Sequence, residues 1–273
     1  MEIKIFTLFI IFINFTALAK PKIFTTITPL ASIVLMLVRD DAEVSSLVTN
    51  NICPHHYHLK LSDLEKIKEA NIIIYIDDQF DNFVSKLVDK NSSKIIKISN
   101  FKSIKIVANK GHPNWHFWLD LDNIQILLEE LSTELAQHFP EKRNSIYQNL
   151  KHAKKRVADL AMIKTKILSA LPKLILLSDS LEYFFIGDKF SVNKLYQPNH
   201  KSLKYVDNLK QLLKGPDKPC LIISSDQDPK FYQNFNNKLI QLESENWPIS
   251  EGEMVDLFYN QYLKMIHQVA RCK

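Results

Sequence analysis

The stretch CPHHYHLKLSDLE, Cys53 to Glu65, brings Cys53, His55, His56 and His58 together within six residues. Imidazole nitrogen and thiolate are the usual donors to borderline-soft cations such as Zn2+, so the chemistry on offer is metal coordination. A second group, His112 and His116, stands in GHPNWHFWLDLDN, so five of the nine histidines fall in two short segments. Loops meeting at one place could pool two or three imidazoles. The same residues are equally at home on a polar surface, and Tyr57, Trp115, Phe117 and Trp118 either wall a site from water or belong to the core.

The elements around these loops decide which histidines can meet. KIFTTI (Lys22–Ile27) reads as a strand, PLASIVLMLV (Pro29–Val38) as a helix opened by proline, and EVSSLV (Glu43–Val48) as a second strand. The histidine stretch follows, and Ser62 with Glu65 spells a capping box for a helix Asp63–Glu69. NIIIYI (Asn71–Ile76) and KIIKIS (Lys94–Ser99) add strands, and continuous rather than alternating hydrophobicity predicts parallel βαβ units covered on both faces. Ligands of such sheets bind beyond the carboxyl ends of the strands, where the loop Thr49–Leu61 falls. A helix of roughly 26 residues follows Pro140, longer than the ~3–4 turns usual in globular proteins. The βα rhythm then resumes with KLILLS (Lys173–Ser178), CLIISS (Cys220–Ser225), KLIQLE (Lys238–Glu243) and a last helix Met254–Ala270.

The expected architecture is therefore α/β: two βα lobes with mainly parallel sheets, joined by one long rigid helix, with a metal cleft between them. The expected divisions are a signal peptide over residues 1–19, an N-terminal lobe over 20–139, the connecting helix over 140–171 and a C-terminal lobe over 172–273. The apolar run Ile5–Phe15 with ALA ending at Ala19 is shorter than the ~20 residues a membrane span needs, and predicts a cleaved signal for export to an oxidising compartment. In that oxidising setting a Cys220–Cys272 disulfide would pin the C-terminal tail to a strand and leave Cys53 unpaired.

Composition removes other classes. Only Gly111, Gly187, Gly215 and Gly252 exist, widely spaced, so no glycine-rich phosphate loop is possible; neither G-x-S-x-G nor H-E-x-x-H occurs. The net charge of +5 is spread along the chain, and its densest cluster, Lys151 to Arg156, lacks interleaved aromatics; it reads as a solvated helix face with no nucleic-acid partner.

The segments TTITPLASIV, PHHYHLKLSDLEKIKEANIIIYI, HFWLDLDN, IYQNL, SDSLEYF and YLKMIHQVARC span nearly the whole chain after the signal. In them the sequence resembles the substrate-binding proteins of zinc and manganese ABC transporters, the ZnuA-like group. This resemblance implies His55 as first ligand and His116 as second. The third family ligand, a histidine, is replaced by Ser178; a carboxylate some members supply before the first histidine is Pro54; and an aspartate others supply from the second lobe aligns with Trp247. His58 or His56, and Asp179 from the second lobe, are the candidate replacements. The cysteine pair matches the disulfide of zinc-specific members and, with imidazole-rich ligands, favours Zn2+ over Mn2+.

The resemblance implies a monomeric, non-enzymatic periplasmic protein that captures Zn2+ for an inner-membrane ABC permease, its long helix limiting lobe motion. One alternative is a member that has lost metal binding and docks a protein. Another is a zinc hydrolase with Asp120 or Asp179 as base.

Overall fold

The computed structural model describes residues 19–48, 57–87, 92, 94–109, 111–187, 192–196, 202–214, 218–248 and 254–273. The expected signal peptide, up to residue 18, lies outside them, as do Cys53, Pro54, His55 and His56.

In the first lobe, β1 (Lys22–Ile27), α1 (Thr28–Val38), β2 (Glu43–Val48), α2 (Leu61–Glu69), β3 (Ile72–Tyr75), α3 (Asn82–Ser85) and β4 (Ile95–Lys97) follow in chain order. The four strands pair parallel in the order β2-β1-β3-β4. A small antiparallel hairpin, β5 (Ala108–Asn109) with β6 (His112–Pro113), follows; Gly111 in its turn takes φ 83°, a left-handed conformation open to glycine. Next come α4 (Leu121–His138) and the long α5 (Arg143–Leu168).

The second lobe contains β7 (Leu174–Leu176), a 3-10 segment Asp179–Phe185, β8 (Val192–Lys194), α6 (Leu203–Leu212), β9 (Cys220–Ser224), α7 (Pro229–Gln233), β10 (Leu239–Leu242) and α8 (Leu257–Ala270). Its strands are again parallel, in the order β10-β9-β7-β8. In each sheet the chain runs outward on one side of a strand and returns on the other, so each lobe has a switch point, next to β1 and next to β7. Such points are where open α/β sheets leave a crevice beyond the strand ends.

All residues of α1 are buried, as a helix apolar on every side must be; it packs on β1, β2, α4, α5 and α8. The stripe Ile146, Ala153, Val157, Leu160, Lys164 and Leu168 along α5 repeats at helical spacing and is likewise buried. At about 1.5 Å per residue, α5 is ~39 Å long and runs along both lobes. One apolar core passes without a break from Ile23 and Ile72 in the first sheet through α1, α4 and α5 to Leu174, Ile222 and Phe258 in the second lobe. Within it, burial pushes the Lys164 ammonium down to about 8 against the pull of Asp120 and Asp122, and its Nζ lies 5.2 Å from the Phe184 ring.

Two local expectations need correction. The second helix starts at Leu61, with Lys60 at the N-cap, so Ser62 does not cap it. Asp63 does the work from the first turn, accepting the Lys60 backbone N–H at 2.9 Å and the Tyr57 hydroxyl at 2.7 Å. Also, β8, α6 and the β5–β6 hairpin are present where no element is predicted: the strands are only two or three residues long, whereas α6 spans ten residues with Tyr205 and Leu209 buried one turn apart and Ser202 capping it by accepting the Tyr205 amide.

Asp81, at the carboxyl edge of the first sheet, has a testable consequence for stability. Its Oδ2 accepts the amides of Ile76 at 2.5 Å and Asp77 at 3.1 Å, yet burial dominates and pushes the carboxyl up to about 7. The folded state therefore keeps a proton that the unfolded chain releases near pH 4. This contribution is full below pH 4 and is lost as pH rises through 7, a swing of about 4 kcal/mol. Asp81→Asn keeps an acceptor for both amides, so it is expected to raise unfolding free energy at pH 8 and flatten its pH dependence. Urea denaturation at pH 5 and pH 8 checks this; equal slopes for both proteins would refute it.

Candidate metal site

His116 is the side chain on which the two lobes converge. The 3-10 turn Phe117–Leu119 that leads into α4 places it, and Phe80, from the loop beyond β3, packs edge-on to its ring at 6.0 Å. Trp118 stacks at a tilt, 5.1 Å away, and anchors the turn by donating from Nε1 to the Ser244 carbonyl at 2.8 Å. The imidazole thus sits between Phe80, which follows β3, and Trp118. Its Nδ1 lies 2.8 Å from Asn114 Oδ1, and its Nε2 lies 2.6 Å from Glu245 Oε1 of the other lobe. Both side chains of that pair are nearly closed to water, 12% and 11% exposed, so their interaction is only weakly screened.

Glu245 is held by the turn after β10. The Glu243 carboxylate accepts the amides of Glu245 at 3.0 Å and Asn246 at 2.9 Å, and Thr28, at the end of β1, donates to the Glu245 carbonyl at 3.3 Å while accepting from Trp247 N at 3.0 Å. Around the pair lies a cavity of about 580 Å3 lined by His116, by Ser178, Asp179 and Ser180 after β7, by Ser225 and Asp226 after β9, and by Glu243–Asn246 after β10. Apart from His116, the described lining is hydroxyl, amide and carboxylate, without lysine or arginine. Such a wall concentrates cations and repels anions.

His116 lines the cavity, and Asp179 lines it too but is exposed. The Ser178 hydroxyl is within hydrogen-bond reach of Ser180 Oγ at 2.8 Å. His58 and His112 are exposed and are not among the lining residues. Asp120, the candidate base of a hydrolase, caps α4 by accepting the Asp122 amide at 3.0 Å. Trp247 is not a stand-in for the second-lobe carboxylate: it is buried, with its ring against Phe258. The carboxylate that meets His116 is Glu245, two positions earlier. The available signal was its position in LESENWP, directly beyond the carboxyl end of a parallel strand. Among the described residues, no group of three or more histidine, cysteine, aspartate or glutamate side chains is placed to hold a metal ion.

Two parallel βα lobes around an acidic cleft, joined through a continuous helical layer, define the architecture of a substrate-binding protein. The chain belongs to the ZnuA family, zinc-uptake complex component A periplasmic, whose family model matches residues 23–271. It is 43% identical over 267 residues to the uncharacterized protein RP014 of Rickettsia prowazekii, covering 97% of this chain and 88% of that protein. It is 23% identical over 293 residues to the high-affinity zinc uptake system protein ZnuA of Haemophilus ducreyi, covering 93% of each. Among solved structures, the periplasmic zinc binding protein TroA of Treponema pallidum superposes with a TM-score of 0.77 at 18% identity, covering 93% of this chain and 99% of that one. A crystal structure of ZnuA gives a TM-score of 0.78, also at 18% identity, covering 92% and 98%. Family and fold are those of metal-binding periplasmic proteins rather than enzymes.

Proposed function

We propose that the protein captures Zn2+ as its substrate in the interlobe cleft and hands it to an ABC permease of the inner membrane. The observation that carries this reading is the cross-lobe pair, His116 Nε2 at 2.6 Å from Glu245 Oε1, in an acid-walled cavity. An imidazole and a carboxylate facing each other from different lobes are two members of a His/His/carboxylate zinc set, which leaves a fourth position for water or a hydroxyl. His55, which lies outside the described residues and follows β2 in sequence, is the third donor in this reading; Ser178, Asp179 and water are the candidates for the fourth. Mn2+ is the weaker choice, since imidazole favours zinc while an all-oxygen sphere suits manganese. The unbroken core between the lobes supports limited motion, with release depending on loops rather than on wide hinge opening.

A second reading, a member that has lost metal binding and docks a protein, is favoured by Ser178 in place of histidine. Metal analysis of the purified protein decides between them. About one zinc per chain after zinc-replete dialysis is expected, falling toward zero in His116→Ala and His55→Ala. A value near zero in the unaltered protein would sink the transport reading.

A further inference from the structure

We infer that Asn114 is a positioning residue of this site: it commits His116 to bind its cation through Nε2 and ties that ring orientation to the opposite lobe. The inference rests on the metal-capture reading for its function but on the hydrogen bonds around Asn114 for its geometry. Asn114 is 7% exposed, and every polar atom of the residue has a partner. Its backbone N–H donates to the Val107 carbonyl at 2.8 Å, and its carbonyl accepts the Tyr183 hydroxyl at 2.9 Å. Its side-chain Oδ1 accepts the His116 backbone N–H at 3.1 Å and faces His116 Nδ1 at 2.8 Å. Its Nδ2 donates to the Asp179 carbonyl of the second lobe at 2.8 Å.

These contacts settle which end of the amide is which. Rotating it by half a turn would aim Nδ2 at the His116 N–H and Oδ1 at the Asp179 carbonyl, breaking two bonds and setting like groups against each other. With Oδ1 held toward the ring, an unprotonated Nδ1 would put two acceptors 2.8 Å apart, so Nδ1 carries the proton. The nitrogen left to take a cation is Nε2, which meets the Glu245 carboxylate at 2.6 Å, so a cation bound there displaces the proton of that contact. An outer partner of this kind sets tautomer and ring orientation, and its loss typically weakens metal binding by about 10–100-fold. The same amide that holds the ring also donates to the loop carrying Ser178 and Asp179, so one side chain joins the His116 ring to the second lobe.

The test uses the mature chain with 15N-labelled histidine, zinc ion as the probe, and two variants. In the unaltered protein the His116 Nδ1–H is expected to exchange slowly with solvent, with and without zinc, and zinc is expected on Nε2. Asn114→Leu, similar in size but without an acceptor, should make that proton exchange fast and weaken zinc binding by about 10–100-fold. Asn114→Asp restores an acceptor at Oδ1 and should restore slow Nδ1–H exchange, although it loses the donor to Asp179. Unchanged exchange and affinity in Asn114→Leu would overturn the proposal. So would zinc on Nδ1 in the unaltered protein, or fast exchange in Asn114→Asp. If the unaltered protein takes up no zinc, the transport reading fails, while the exchange measurement on zinc-free protein still decides the role of Asn114.

Discussion

Replacing Glu245 with alanine is expected to weaken zinc binding by more than about 100-fold, beyond the range seen for outer partners of a metal ligand. Glu245 is the second-lobe carboxylate in contact with His116, and it is nearly closed to water, so the attraction it adds for a cation is poorly screened. Its removal takes away the carboxylate that lies 2.6 Å from His116 Nε2, the one carboxylate in direct contact with that nitrogen among the described residues. Glu245→Gln keeps the shape and loses the charge, and should fall between the two. Trp247→Phe, changing the residue that alignment alone would put in this role, should leave affinity within a few fold because that side chain packs in the core. Competition against a chromophoric chelator measures all three. Equal affinity of Glu245→Ala and the unaltered protein would remove Glu245 from the site.

Loss of the disulfide is expected to give the largest stability change. Cys220 opens β9 and Cys272 follows α8, 52 residues apart in sequence, with both sulfurs bonded and both residues buried. Closing a loop of that length restricts the unfolded chain by an amount worth about 4 kcal/mol. The double variant Cys220→Ala, Cys272→Ala should therefore unfold about 10 °C lower, at the few degrees per kcal/mol usual for chains of this size. Zinc stoichiometry should be unchanged. The bridge sits at the amino end of β9 whereas the cavity lies beyond its carboxyl end, and a five-residue strand separates them by about 16 Å. A melt that does not move, or zinc lost along with the bridge, would contradict this assignment.

Much of the first sheet and the helices was legible because their signals are local and repeated. EVSSLV and KIFTTI are strands over the expected residues, and the expected break at Pro140 separates α4 from α5. The start of α2 was not legible. Ser62 with Glu65 reads as a capping box, but the helix begins at Leu61 and Asp63, in its first turn, accepts both the Tyr57 hydroxyl and the Lys60 amide, a contact that depends on where the preceding chain lies. β8 escaped because VNK is three residues long and acquires its strand character only by pairing with β7.

The chain by itself determined the α/β class, the two-lobe order, the histidine-bearing segments and the cysteine pair. Each is written in periodicity, residue type or long-range repetition along the chain. Tertiary structure alone decided which carboxylate meets His116. Glu245 and His116 are 129 residues apart, and their contact depends on the register of β10, the turn held by Glu243 and the docking of Thr28. A shift of two positions along that turn separates a carboxylate facing His116 from a tryptophan in the core. Pattern along a chain has no such resolution, because the distance between two lobes is set by packing and not by sequence spacing.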